Sequence, residues 1–69
     1  MRYAMIIETG QQNYSAYLPD LPGCVATGKT IEEVRERMRE AIELHIAGMR
    51  EDGLPIPAPT SLADYIEAA

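Results

Sequence analysis

"NYSAYLPDLPGCVATGKTIEEV", residues 13–34, holds two strand-like segments, a rigid corner between them and the start of a helix. Side chains of Asn13–Leu18 alternate between two faces, which is the period-two pattern of a β-strand. The corner Pro19–Gly23 contains two prolines, which cannot donate to a sheet ladder, so strand pairing should stop there. Cys24–Thr27 then predicts a short strand that ends at Gly28.

The segment that precedes this stretch predicts a partner for its first strand. Arg2–Glu8 shows the same period of two, with one face formed by Tyr3, Met5 and Ile7. The polar turn Thr9–Gln12 contains a glycine and is short. A short connection of this kind predicts that the two strands form an antiparallel hairpin.

Thr30–Asp52 predicts one long amphipathic helix. Thr30 as N-cap, with Glu33 three residues later, is the sequence pattern of a capping box. Gly53, after Asp52, suits the left-handed C′ position that ends a helix. Apolar residues recur at steps of three and four and form one stripe: Ile31, Val34, Met38, Ala41, Ile42, His45 and Met49. The opposite face predicts two ion pairs at i,i+4: Glu33–Arg37 and Arg39–Glu43.

The C-terminal part combines a strap with an ambiguous tail. "LPIPAP", residues 54–59, has a proline at every second position and predicts an extended, polyproline-like segment. The alternation in Ser61–Ala69 favours a final strand, which would cover a sheet edge, and a helical turn capped by Ser61 is the alternative. The sequence thus predicts an α+β fold in one domain, residues 1–69, with an antiparallel sheet of three to four strands packed on one face by the helix.

The size and composition of the chain limit how it can be stabilised. With 69 residues, one cysteine and one histidine, it can form neither an internal disulfide nor a Cys/His zinc site. A core of this size supplies only about 3–5 kcal/mol, so we expect support from partner chains. We therefore predict a homodimer or homotetramer, with Leu44, which departs from the apolar stripe, as a candidate oligomer contact. We expect no cofactor.

The charge balance excludes some classes of partner. Eleven acidic and six basic residues give a net charge of -5, which disfavours direct binding to nucleic acid and suits a basic protein. No stretch without a charge exceeds 11 residues, the length of Thr9–Pro19, so a transmembrane helix is not expected. Only five residues separate Arg2 from Glu8, too few for a secretory signal. We therefore predict a cytoplasmic protein without a membrane partner.

The order and spacing of several motifs resemble the HicB-like antitoxin family. The motifs are Pro19-Asp20-Leu21-Pro22-Gly23-Cys24, Gly28 with Thr30 and Glu33, Glu40-Ala41-Ile42, and Asp52-Gly53 followed by Pro55, Pro57 and Pro59. The resemblance implies a β-β-β-α-β domain with a partial ribonuclease H-like fold. It also implies an antitoxin that binds HicA, a small ribonuclease toxin with a double-stranded-RNA-binding-domain-like fold, and blocks its catalytic histidine. Many members add a C-terminal DNA-binding module, which this sequence does not show, so we expect no operator binding by this chain.

The proline corner has two compatible interpretations. It is a rigid turn between two strands, and it can also be a preorganised surface for a partner, because rigid segments lose little entropy on binding. The candidate partner-binding residues are Tyr17, Pro19, Asp20, Leu21 and Pro22. The corner contains no nucleophile and base, so we do not interpret it as catalytic.

Other reactive residues favour structural roles. We interpret Cys24 as a buried, inert thiol and His45 as a core or interface residue. Metal-assisted phosphoryl chemistry needs converging carboxylates, and the candidates are scattered along the chain: Glu8, Asp20, Glu40 and Asp64. The sequence therefore predicts no catalytic residue, no metal site and no enzyme.

Two functional hypotheses follow. In the first, the chain is an antitoxin-type protein that covers the active site of a HicA-like, mRNA-cleaving toxin. Outside the helix the only basic residues are Arg2 and Lys29, so the acidic residues there are almost unopposed and could occupy the toxin's phosphate-binding face: Glu8, Asp20, Asp64 and Glu67. In the second, the chain is a stand-alone HicB-like domain of structural or unknown role, without a toxin. A neighbouring reading frame for a small basic protein would favour the first.

Overall fold

The computed structural model describes residues 1–69, which form three strands followed by one helix. The strands are β1 (Ile6–Thr9), β2 (Tyr14–Tyr17) and β3 (Val25–Gly28), and the helix is α1 (Ile31–Glu51). The strands form one antiparallel sheet in the order β1-β2-β3. The α+β fold and the antiparallel hairpin are thus confirmed.

The first strand is shorter than the Arg2–Glu8 predicted from the alternation. Pairing with β2 begins at Ile6, which lies opposite Tyr17, the last residue of β2. Beyond Tyr17 the partner strand bends into the corner at Pro19, where a ladder cannot continue. The proline thus limits the length of both strands.

The register divides the sheet into two faces. Ile7 lies opposite Ala16, which lies opposite Ala26, and these three side chains face the helix. The neighbouring row, formed by Ile6, Tyr17 and Val25, must point to the other face because side chains alternate along a strand. We call the face that carries Ile6, Tyr17 and Val25 the outer face.

Both ends of α1 are capped much as the sequence predicts. Glu33 donates its backbone N–H to Oγ1 of Thr30 at 3.0 Å, while the Glu33 carboxylate accepts from the N–H of Lys29, one residue before the N-cap. At the other end Gly53 has a φ of 70°, and the N–H of Leu54 donates to the carbonyl of Met49 at 2.9 Å. These contacts satisfy the backbone groups that a helix end leaves open.

The core lies between α1 and the two strands that it covers, β2 and β3. Six apolar side chains are buried in it: Ala16, Leu18, Leu21, Cys24, Val34 and Met38. Gly28 permits this close packing, because a Cβ atom built there would lie 2.8 Å from the backbone N of Val34. The apolar stripe also includes Ile46, which the sequence prediction omitted, whereas Ile31 is 40 % exposed.

The predicted ion pairs on α1 are confirmed only in part. Arg37 pairs with Glu33 at 3.2 Å, as the i,i+4 spacing predicts. Arg39 pairs with Glu36 at 2.6 Å and not with Glu43, so this prediction was wrong. The i,i+3 and i,i+4 positions are both within reach of an arginine on a helix surface, and sequence spacing does not choose between them.

The fourth strand predicted in Ser61–Ala69 is absent, and so is the alternative helical turn. The tail pairs with no strand, and Leu62–Tyr65 line a cavity of about 410 Å³ together with Met5–Ile7. The apolar side chains of the tail are 95–97 % exposed: Leu62, Tyr65 and Ile66. The alternating side chains of the tail therefore do not pack against the rest of the fold. No helix of the protein has the length and apolar character to span a membrane.

Candidate partner-binding surface

The corner between β2 and β3 consists of two consecutive turns. The N–H of Leu21 donates to the carbonyl of Leu18, and the N–H of Cys24 donates to the carbonyl of Leu21, both at 3.2 Å. In the second turn Pro22 and Gly23 occupy the central positions, and Gly23 has a φ of 86°. Proline followed by a glycine of positive φ is the type II pattern, which fixes the backbone of the corner.

Asp20 connects the corner to the C-terminal strap. Its carboxylate accepts the backbone N–H groups of Thr60 at 2.8 Å and Ser61 at 2.7 Å. It also accepts both hydroxyls, from Thr60 at 3.3 Å and from Ser61 at 2.8 Å. These hydrogen bonds, foremost those from Ser61, lower the pKa of Asp20 below its ordinary value, and burial opposes them only partly. We call this arrangement the Asp20 clasp.

A second contact holds the strap to the N-terminal segment. The hydroxyl of Tyr3 donates to the carbonyl of Pro57 at 2.5 Å. Tyr3 also packs against the core, so the strap is attached near β1 as well as at the corner. The position of the strap is thus set by side chains that lie 40 or more residues away in sequence.

The five candidate partner-binding residues separate into three groups. Tyr17, at 42 % exposed, lies on the surface together with Pro19 and Pro22. Asp20 is half-buried, and both of its oxygens are engaged in the clasp. Leu21 is 1 % exposed and belongs to the core, so its side chain offers no surface to a partner. The role of the corner in partner binding stays a prediction, and its accessible side chains are the tyrosine and the two prolines.

The outer face adds two residues that sequence reasoning missed. Ile6 and Val25 flank Tyr17 in one row across the three strands, and Val25 is 65 % exposed. Because α1 packs on the opposite face, Tyr17 and Val25 are exposed, whereas Ile6 is half-buried and lines a cavity with the C-terminal tail. The alternation within each strand indicates which way the side chains of Ile6 and Val25 point. The register that aligns them with Tyr17 follows only from the paired sheet. Exposed apolar side chains of this kind, at Tyr17 and Val25, are typical of an interaction surface.

Three acidic residues outside α1 are exposed and have no ion-pair partner: Glu8, Asp64 and Glu67. Glu8 lies on the outer face, two residues along β1 from Ile6, and is exposed. Asp64 and Glu67 lie on the exposed tail. The only two ion pairs of the protein are those of Arg37 and Arg39 on α1. The negative charge outside the helix is therefore not neutralised within the chain.

The thiol and the imidazole occupy structural positions. Cys24 is buried with its Sγ 3.8 Å from the Sδ of Met38, and burial raises the pKa of the Cys24 thiol. His45 is half-buried beside Gly23, at the junction of α1 and the corner. No three His, Cys, Asp or Glu side chains lie close enough together to hold a metal ion.

Comparison with known proteins gives one matching family. The model of a family described as HicB-like antitoxin of bacterial toxin–antitoxin systems matches residues 3–69. An uncharacterised 14.9 kDa protein of Haemophilus phage HP1 is 38 % identical over 66 residues, which are 96 % of this chain and 50 % of the phage protein. A UPF0150 protein of Helicobacter pylori is 41 % identical over 49 residues, covering 71 % of this chain and 68 % of that protein. The chain thus spans about half the length of the phage relative.

A solved structure shares the fold. A chain of a HicA3 and HicB3 toxin–antitoxin complex superposes with a TM-score of 0.75 and 29 % sequence identity. The superposition covers 86 % of this chain and 69 % of that chain. At this TM-score the two chains have the same overall fold.

Proposed function

This chain belongs to the HicB-like antitoxin family of bacterial toxin–antitoxin systems, and from this premise we propose that it binds and neutralises a small HicA-like, mRNA-cleaving toxin. The observation that carries the proposal is the structural similarity to a chain from a HicA3 and HicB3 toxin–antitoxin complex. In this proposal the protein is a cytoplasmic binding protein and not an enzyme, and it acts by covering the toxin's active site.

Charge complementarity supports a basic partner. A ribonuclease that holds a phosphate backbone needs a basic binding face. This chain carries a net charge of -5, and Glu8, Asp64 and Glu67 have no ion-pair partner within it. These carboxylates would take positions that RNA phosphates otherwise occupy. Such complementarity mainly accelerates association and is weakened by salt.

The outer face and the corner would supply the shape of the interface. Tyr17 is the central residue of the outer row, and Pro19 and Pro22 extend its apolar surface beyond the strands. The two turns hold these residues rigidly, so little conformational entropy is lost on binding. Aromatic residues at the centre of an interface commonly contribute a large share of the binding energy. Asp20 would act indirectly, by fixing the corner to the strap.

The test is a binding and inhibition measurement with the HicA-like protein encoded next to this chain. We expect the two proteins to copurify, and we expect purified chain to stop RNA cleavage by the toxin at equimolar ratio. Tyr17→Ala should weaken binding by at least tenfold, because an interface aromatic is lost. Absence of such a neighbouring protein, or cleavage that continues in the presence of the chain, would contradict the proposal and favour a stand-alone role.

A pair of charge-reversal variants tests the electrostatic part of the proposal. Glu8→Lys, on the outer face, should slow association with the toxin and reduce its dependence on salt. Glu43→Lys makes the same charge change on α1, on the other side of the sheet, and should have a smaller effect. Asp20→Lys is less informative because it would also open the clasp. Equal association rates for parent and Glu8→Lys at low and high salt would show that charge does not guide binding.

A further inference from the structure

An apolar trough lies between β1 and the C-terminal tail, on the side of β1 that faces away from β2. Its volume is about 410 Å³, with Met5–Ile7 on one side and Leu62–Tyr65 on the other. All of these residues except Asp64 are apolar. Since β1 pairs only with β2 and the tail pairs with no strand, no backbone ladder closes the gap. We call this feature the edge trough.

The tail side of the edge trough is the most exposed apolar part of the protein. The three most exposed large apolar side chains all lie in the tail: Leu62, Tyr65 and Ile66. Of these, Leu62 and Tyr65 line the trough and Ile66 does not. Leu44, the candidate oligomer contact, is also exposed, but it lies on α1 and not in the tail, and its role stays a prediction. Exposed apolar clusters such as the one in the tail are typical of interaction sites.

The Asp20 clasp holds the tail at the point where the edge trough begins. Ser61, which directly precedes Leu62, donates its backbone N–H and its hydroxyl to the Asp20 carboxylate. Further back in the sequence, the Tyr3 hydroxyl holds the strap at the carbonyl of Pro57. The start of the tail is therefore fixed before any partner binds, which reduces the entropy that is lost on binding.

The edge trough adjoins the outer face and is bordered by acidic groups. Ile6 belongs to both features, since it lines the trough and lies directly opposite Tyr17 in the outer row. Glu8 lies two residues further along β1 and points to the same outer face, and Asp64 lies in the tail side of the trough. Residues 51–69 contain no lysine, arginine or histidine. This environment suits an apolar side chain that has basic neighbours.

We propose that the edge trough receives an apolar side chain of the toxin that is flanked, in the toxin, by basic residues. This inference rests on the proposed function and adds a second contact region to the outer face and the corner. The inserted side chain would lie between Ile6 and Leu62 and would also cover Tyr65. The flanking basic residues would meet Glu8 and Asp64, which border the trough.

Charge and position favour the toxin over other occupants of the edge trough. A second copy of this chain carries the same net charge of -5, and nucleic acid is also negative, so the acidic border disfavours both. A toxin that covers Tyr17 would also reach Ile6, because residues directly opposite each other in a sheet are close neighbours. One continuous surface therefore extends from the outer row into the trough.

Affinity measurements with the HicA-like protein encoded next to this chain test the edge trough. Leu62→Ser and Tyr65→Ser should each weaken binding about tenfold, because an apolar side chain that the complex buries is lost. Ile66→Ser makes the same kind of change in the same tail but outside the trough, and it should retain the parent affinity. All three side chains are at least 95 % exposed in the free chain, so the substitutions should leave the fold intact. Parent affinity in Leu62→Ser, or an equal loss in Ile66→Ser, would overturn the assignment.

The parent chain distinguishes failure of this inference from failure of the proposed function. If the parent neither binds nor inhibits the toxin, both are wrong. If the parent binds and inhibits while Leu62→Ser and Tyr65→Ser match it, only the trough is rejected. Nuclear Overhauser contacts in the complex give a direct test: the methyl groups of Ile6 and Leu62 should both contact the same apolar side chain of the toxin. A complex in which the toxin contacts Tyr17 but neither of these methyl groups would reject the insertion.

Discussion

Asp20 accepts two hydrogen bonds from Ser61, one from the backbone N–H at 2.7 Å and one from the hydroxyl at 2.8 Å. The two residues are 41 positions apart in sequence. The first lies in the corner between β2 and β3, and the second begins the tail, two residues after the strap that follows α1. Charge-assisted hydrogen bonds to a carboxylate are among the stronger polar contacts in proteins, so the clasp fixes the strap to the corner.

Removal of the Asp20 carboxylate should release the strap. In Asp20→Ala the amides of Thr60 and Ser61 lose their acceptor and should exchange with solvent markedly faster, and the melting temperature should fall. Asp64→Ala removes the same charge, but its carboxylate accepts only from the neighbouring amide of Tyr65, so this control should melt close to the parent. Unchanged exchange at Thr60 and Ser61 in Asp20→Ala would show that the clasp does not hold the strap in solution.

The clasp should also give the protein a defined acid sensitivity. Folding lowers the pKa of Asp20 below its ordinary value of 3.8, because the ionised carboxylate is the better acceptor for Ser61 and Thr60. The resulting stabilisation is fully present above pH 3.8 and is lost as the pH falls through the lowered value in the folded state. The difference in melting temperature between parent and Asp20→Asn should therefore shrink on acidification below this point. A difference that stays constant with pH would contradict the assignment.

The contact between β3 and the start of α1 requires a glycine at position 28. A methyl group in Gly28→Ala would meet the backbone of Val34 at 2.8 Å, and backbone atoms cannot move aside as a flexible side chain can. Overpacking of this kind costs about 1–3 kcal/mol of the free energy of unfolding. Gly48→Ala is the matched control, because it meets no atom within 4 Å and should stabilise the helix by about 1 kcal/mol. Chemical denaturation of both variants measures these changes. A free energy of unfolding for Gly28→Ala within a few tenths of a kcal/mol of the parent value would refute the requirement for glycine.

The thiol of Cys24 should react only when the protein opens. It is buried beside Met38, and its raised pKa keeps it protonated near neutral pH. We expect a thiol reagent to label Cys24 slowly in native buffer and rapidly in denaturant. In native buffer, the labelling rate should be higher in Gly28→Ala than in the parent. Rapid labelling of the native parent would show that the core around Cys24 is open to solvent.

Local patterns in the sequence were sufficient for much of the fold. Alternation identified the strands, and the cap residues Thr30 and Gly53 marked both ends of α1. The proline and glycine at positions 22 and 23 predicted a tight turn, which has the expected positive φ at Gly23. Such features depend on a few neighbouring residues, so they can be interpreted before the tertiary structure is known.

The sequence predicted the structure less well where two local arrangements were equally possible. The spacing of Arg39 allowed either Glu36 or Glu43 as its partner, and the prediction of Glu43 was wrong. The alternation in Ser61–Ala69 favoured a strand, but the tail pairs with no strand and its large apolar side chains stay exposed. The extended strap that precedes it, by contrast, was predicted from its prolines, and the contacts that hold it to Tyr3 and Asp20 follow only from the fold.

The candidate surface depended most on tertiary structure. The sequence by itself determined that the corner is rigid, that the chain is acidic and that its motifs resemble those of HicB-like antitoxins. Only the fold decided that Leu21 points into the core, that Asp20 holds the strap and that Ile6, Tyr17 and Val25 form one row. The physical reason is that turn geometry is set by adjacent residues, whereas burial, long-range hydrogen bonds and strand register depend on segments that meet only after the chain has folded.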